Sequence, residues 1–252
     1  MKKLNYLAIL TETINIYKKD FFVFIKMSGL LALINFTISV VSNLLFEFTS
    51  SILTILIGSL NLIIIIFLFY NYIKVYCADI NYTYNKITLN KMSFKESFWY
   101  SKRLAPKFIY ASLLLIILEI VPIFLVIVSY STLTNQILKW SLTILFAFIT
   151  LFVFVRYYFI IYIRVIETES KHYITKCVTY LKGNYITYFF ILITIHLYTG
   201  IYIAINNFVL LNIKLNILQQ ILVSGLYNMI NIFIIPIIII SNVLIYHKLV
   251  AK

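Results

Sequence analysis

The chain is poor in the residues on which most site chemistry depends. Only 8 of its 252 residues are Asp or Glu, so two-metal catalysis has almost no ligands to draw on, and the paired acidic motifs of a lipid phosphotransferase are absent. Three His and two Cys lie far apart, without metal-ligand spacing. Cys77 and Cys177 are expected in loops facing the cytoplasm as reduced thiols, with no disulfide framework. Glycine is scarce at five residues, and there is no Gly-x-x-x-x-Gly-Lys phosphate loop. A His-Glu-x-x-His zinc helix and a Gly-x-Ser-x-Gly nucleophile elbow are missing too. The expectation is therefore a protein that is no enzyme and holds no cofactor.

What the chain has instead is apolar surface. It is 63% hydrophobic and 12% charged, with a mean hydropathy of +0.99, more than a soluble fold of this length could bury. A bilayer has to solvate the excess. The net charge of +13 does not point to nucleic acid, because the basic residues lie between apolar runs and not on one soluble face. An anionic membrane surface is the simpler partner.

Uncharged runs long enough to cross ~30 Å of hydrocarbon mark six spans. They cover residues 27–46, 48–73, 108–128, 140–163, 184–213 and 215–246, with turns at Glu47 and Lys214 in the first and last pairs. Glu119 and Pro122 interrupt the third and Arg156 the fourth. All Lys and Arg fall in the termini or in segments 74–107 and 164–182, except Lys139 and Lys214 in short turns and Lys26 and Arg156 within spans. The positive-inside rule then places both termini and both long segments in the cytoplasm. No cleaved signal peptide is expected, since the first apolar run starts near Phe21, is too long for one, and is not followed by a small-residue cleavage pattern.

Three basic amphipathic segments precede spans. In residues 1–20, Leu4, Leu7, Leu10, Ile14 and Tyr17 share a helical face, as in an interfacial helix. In Ser93-Phe-Lys-Glu-Ser-Phe-Trp-Tyr-Ser-Lys-Arg-Leu-Ala-Pro-Lys-Phe108, Ser93 and Glu96 form a capping box and Pro106 bends the chain into the membrane. In residues 164–182, Tyr173, Ile174, Cys177 and Leu181 form a stripe that stops at Gly183, a helix C-cap. Lys18, Lys102 and Lys182 recur at intervals of about 80 residues, so the chain reads as one integral membrane domain of three tandem units, roughly 1–74, 75–163 and 164–252. The expected fold is all-α: three hairpins, each preceded by a cytoplasmic interfacial helix. Because each unit has an even number of spans, the repeat is parallel and not of the inverted kind common in secondary transporters.

The segment from Ser93 to Leu104, then Val155-Arg-Tyr-Tyr-Phe leading to Val165-Ile-Glu167 and the closing Leu181-Lys-Gly-Asn184, resembles the six-span membrane domain attached to some bacterial glycerophosphodiester phosphodiesterases and its stand-alone relatives. The resemblance covers roughly residues 70–200 and implies the fold and a bacterial plasma-membrane location. The soluble phosphodiesterase domain is absent from this sequence, and its activity does not carry over.

Ionisable groups inside a membrane cost several kcal/mol and are candidates for function. At ~1.5 Å per residue, Glu119 lies about 18 Å beyond Lys107, Arg156 about 12 Å before Arg164, and His196 about 20 Å past Gly183. Asn35 and Asn61 fall at similar depths. These five are expected to form a mid-membrane polar layer, with Glu119 and Arg156 within reach of each other. The layer reads either as a hydrophilic cavity or as interhelical hydrogen-bonding glue. Tyr and Phe at span ends, Tyr72 and Tyr158 among them, read as aromatic belts. Lys18, Lys19, Lys95, Lys102, Arg103, Lys107 and Lys182 are the expected contacts to anionic lipid, or to a partner such as a cytoplasmic ATPase or another membrane subunit. Two functions follow: an accessory, assembly or protective component acting through lipid or partner contacts, or a transport component, either the permease subunit of an ATP-driven exporter or a small carrier.

Overall fold

A computed structural model describes residues 3–45, 52–132, 134–167, 172–194, 196–197, 201 and 217–250. Every regular element in these is a helix: α1 (Tyr6–Lys19), α2 (Phe21–Leu45), α3 (Ile52–Ile87), α4 (Phe94–Thr132), α5 (Gln136–Tyr157), α6 (Ile160–Ile166), α7 (Tyr173–Leu181), α8 (Tyr185–Thr194) and α9 (Ile217–Val250). Five stretches, Phe21–Val41, Leu60–Ile87, Phe94–Thr132, Gln136–Ile166 and Gln219–Val250, are long and apolar enough to cross a membrane. The chain is thus a multi-pass membrane protein. The expected fifth span is helical over α8, while most of its second half and the turns at Glu47 and Lys214 lie outside the described residues.

Segment 74–107, expected as a polar cytoplasmic stretch with a helix only from Ser93, is a helical hairpin. The last turns of α3 and the first of α4 pack together, joined only by residues 88–93, where Leu89 takes a left-handed φ of 60°. Asn and Tyr in this stretch are compatible with helix and bury against neighbours, so polarity alone does not end α3. The capping box forms: the Glu96 carboxylate accepts from the Ser93 backbone N–H at 2.7 Å, and Ser93 Oγ accepts from the Glu96 N–H at 3.3 Å. From there α4 runs unbroken through Pro106 and Pro122, so the second amphipathic segment and the third span are one helix. At about 1.5 Å per residue, its 39 residues reach about 58 Å, far beyond the hydrocarbon thickness.

The other two amphipathic segments are separate helices. Asn5 caps α1 by accepting from the Ala8 N–H, and Ile9 and Thr13 bury against α9. The predicted stripe of Leu7 and Ile14 is exposed; the face turned to the protein is the adjacent one. Burial in α7 follows Tyr173, Cys177 and Leu181, with Ile174 pointing outward, and Gly183 ends the helix with φ 77°, as a C′ glycine does. Cys77 and Cys177 are both buried; α3 runs through Cys77, which corrects its loop assignment, and Cys177 lies on the helical stripe expected within residues 164–182.

The closest packing lies at one end of the bundle, the basal end. There α1, the end of α3, the start of α4, α6, α7, the start of α8 and the end of α9 share one core around Phe159, Tyr162 and Tyr188. Tyr188 donates to Asn242 Oδ1 at 3.0 Å, and the Leu4 N–H donates to Asn184 Oδ1 at 2.8 Å. Away from this end α4 and α5 carry exposed Leu, Ile and Phe, the surface that lipid solvates. Helix α9 is the central element: 56% of its most apolar window is buried, against α1, α2 and α3.

Candidate functional site

The site is built on the antiparallel seam between α2 and α9. Small and polar residues recur on α2 at Ser28, Ala32, Asn35 and Ser39, and on α9 at Ser224, Asn228 and Asn231, steps of three or four that keep each set on one helical face. The sets join in reverse order. Ser28 Oγ donates to the Ile232 carbonyl at 2.5 Å, Asn35 Nδ2 to Asn228 Oδ1 at 2.8 Å, and Ser224 Oγ to Ser39 Oγ at 2.8 Å. Gly225 completes the close approach, since a Cβ there would stand 3.4 Å from the Phe36 ring.

Beside this seam is a cavity of about 220 Å³. Asn35 comes to it from α2, Tyr72 and Tyr76 from α3, Tyr158 from the break between α5 and α6, and Tyr227, Asn228 and Asn231 from α9; His196 lies two residues past α8. Leu31, Ala32, Ile235 and Ile238 supply the apolar wall. Tyr72 and Tyr76 are stacked at 6.4 Å, Tyr76 shares a 3.1 Å hydroxyl contact with Tyr162, and Tyr158 meets His196 edge to face at 5.8 Å. His196 Nε2 is buried and finds no hydrogen-bond partner among the described residues. Among the described residues, no Asp, Glu, Lys or Arg lines the cavity.

The expected polar layer is therefore divided. Asn35 and His196 meet at the cavity, whereas Asn61 is half-buried on α3 and does not line it. Glu119 lies in a separate, almost wholly apolar cleft of about 440 Å³ between α4 and α5, walled by Val126, Ala147, Thr150 and Phe154, and neither carboxyl oxygen has a hydrogen-bond partner among the described residues. Arg156 does not reach it: its guanidinium carbon stands 5.5 Å from the Tyr157 ring and 5.9 Å from that of Phe152. The two form none of the ion pairs found among the described residues. Depth put them within reach, but azimuth separates them. Phe154 faces the Glu119 cleft, and two residues further on the helix has turned by about 200°.

Sequence reasoning missed the tyrosines of the cavity, of which it assigned Tyr72 and Tyr158 to belts and left Tyr76 and Tyr227 without a role, and the Asn228 and Asn231 pair, which a helical wheel of the last span would have revealed. It also missed Asp79, fully buried on α3, which accepts from Thr83 Oγ1 at 3.4 Å and whose Oδ2 has no partner among the described residues.

At the basal end, carboxylates and bases are unevenly matched. Asp20 pairs with Lys86 at 2.9 Å, Glu12 with Lys248, and Glu167 with Lys176. Glu167 also accepts from Tyr180 at 3.0 Å and Tyr246 at 2.9 Å, so one carboxylate links α6, α7 and α9. Burial by itself raises its pKa, but the donors from Lys176, Tyr246 and Tyr180 outweigh that and hold it below the ordinary value. Lys18, Lys19, Lys95, Lys102, Arg103 and Lys182 are exposed and belong to none of these pairs. The Lys102 ammonium sits 4.2 Å from the Trp99 ring, a cation–π contact. Lys107 is half-buried with a contact of its own.

No cluster of three His, Cys, Asp or Glu able to hold a metal occurs among the described residues. Comparison with protein-family models, curated proteins and solved structures gives no match to this chain.

Proposed function

We propose that this is a bacterial plasma-membrane protein without catalytic activity, acting through contacts with anionic lipid and with partner proteins in an accessory, assembly or protective role. In this reading α8 opens a sixth span, the basal end faces the cytoplasm with both termini, and α1, the first turns of α4 and α7 are the interfacial elements of three parallel units. The resemblance to the six-span domain of the phosphodiesterase fusions belongs to the same proposal. One observation carries it: among the described residues, six exposed bases at the basal end have no carboxylate partner, while Glu12, Asp20 and Glu167 are already paired. Exposed Leu7 and Ile14 on α1 and exposed Trp99 on α4 add apolar anchors on the same elements, the pattern of surfaces that lie on anionic membranes.

Each base near such a surface contributes about 1 kcal/mol. In nanodiscs of equal phosphatidylglycerol and phosphatidylcholine, the released protein should retain mainly the anionic lipid by native mass spectrometry. A variant with Lys95, Lys102, Arg103 and Lys182 all changed to Gln should lose that preference. An unchanged lipid ratio in the folded variant refutes the proposal.

A second reading, a transport component, is favoured by the cavity beside α9. It no longer runs through a Glu119–Arg156 pair. A cytoplasmic ATPase co-purifying in mild detergent would decide for the exporter form.

A further inference from the structure

We propose that the cavity between α2, α3 and α9 is a binding site for a small, uncharged, polyhydroxylated molecule. Such a site is independent of the lipid reading, which concerns the exposed bases and not the residues of this cavity.

Size sets the first limit. A volume of about 220 Å³ lies below the range of drug-sized pockets. A compact polyol of a few carbons is of that scale. Charge sets the second. With neither a carboxylate nor a basic side chain among the described lining residues, an ion entering this cavity would lose water without gaining a counter-charge there.

The lining chemistry then selects the class. Phenol hydroxyls and the amides of Asn35, Asn228 and Asn231 can donate and accept at once, which suits a molecule whose every polar group does the same. Part of that capacity is already used, since Asn35 and Asn228 bond each other. His196 Nε2 is the group left over: buried, without a partner among the described residues, on a side chain that lines the cavity. A hydroxyl supplies what it lacks. A quaternary ammonium would want a box of free aromatic faces, but Tyr72 stacks on Tyr76 and the Tyr158 ring is engaged with His196. The wall of Leu31, Ile235 and Ile238 matches the C–H face of a polyol.

The test uses the full chain in lipid nanodiscs and three probes of similar size: erythritol, its carboxylate analogue erythronate, and choline. Saturation-transfer NMR at millimolar ligand, suited to weak affinity, is expected to give a signal for erythritol and one at least about tenfold weaker for the two ions. Asn231→Leu and His196→Phe should each remove most of the erythritol signal while the protein melts at the wild-type temperature. If either variant fails to fold, Tyr227→Phe replaces it, keeping the ring and removing one hydroxyl. A choline signal equal to that of erythritol would make this an aromatic cation site, and an erythronate signal an anion site; either overturns the proposal. So does an erythritol signal that survives in folded variants, because it then arises elsewhere.

Discussion

Replacing Glu167 by Gln tests how the basal end is held. In the native protein one carboxylate accepts from Lys176, Tyr180 and Tyr246, and both tyrosines donate to the same oxygen, Oε1. Gln can keep a carbonyl oxygen there, but its NH2 group then faces the Lys176 ammonium, donor against donor. The two phenol bonds change from charge-assisted, about 1.5–3 kcal/mol, to neutral, about 0.5–1.5 kcal/mol, a loss near 1 kcal/mol each. The Lys176 pair adds at most about 1 kcal/mol, since 39% of the lysine side chain is exposed. The sum, about 2–3 kcal/mol, corresponds to a fall in Tm of roughly 4–12 °C for a chain of this size. The effect should also vanish with acid. A carboxyl held below its ordinary value stabilises above its unfolded pKa of about 4.3, and that contribution is lost as pH falls through the lower native value. Wild type should therefore approach the variant between about pH 5 and pH 3, while Glu167→Gln stays flatter over that window. Thermal unfolding followed by scanning calorimetry suits the measurement, because it needs no reactive thiolate and reads the same transition across the whole pH window. Equal melting temperatures at pH 7, or parallel pH profiles, would refute the account of Glu167 as a three-donor link.

Two further outcomes follow from the same packing. Glu119→Ala and Arg156→Ala should be additive in a double-mutant cycle, with a coupling below about 0.5 kcal/mol; coupling of several kcal/mol would restore the ion pair that depth alone suggests. In the folded protein neither cysteine should react with N-ethylmaleimide at pH 8, as judged by intact mass. Burial pushes the Cys177 thiol up to about 12, which leaves a thiolate fraction near 10⁻⁴; rapid labelling of the native state would show that α7 is not packed as described.

Patterns that depend on neighbours along the chain are legible in the amino-acid sequence alone. Ser93 and Glu96 close their capping box because the two groups lie one helical turn apart, and Gly183 ends α7 because a left-handed residue is needed at that position. Hydrophobic length announces the apolar helices, since a bilayer-spanning run must satisfy its own backbone whatever it packs against. Polarity misleads at residues 74–87. There Asn, Tyr and Lys look like a loop but continue α3, because the partner helices bury them.

What the sequence by itself determined is therefore the helical, multi-pass character of the protein and the termini of several helices, all consequences of local hydrogen bonding and of the length of apolar runs. Which polar residues meet was decided only by tertiary structure. Spacing along a helix gives depth, but a rotation of about 100° per residue decides the neighbour. So Glu119 and Arg156 face different surroundings, and Asn35 joins Asn228 across the seam, from opposite ends of the chain. The neutral cavity with His196 beside it is a property of that assembly and of no segment within it.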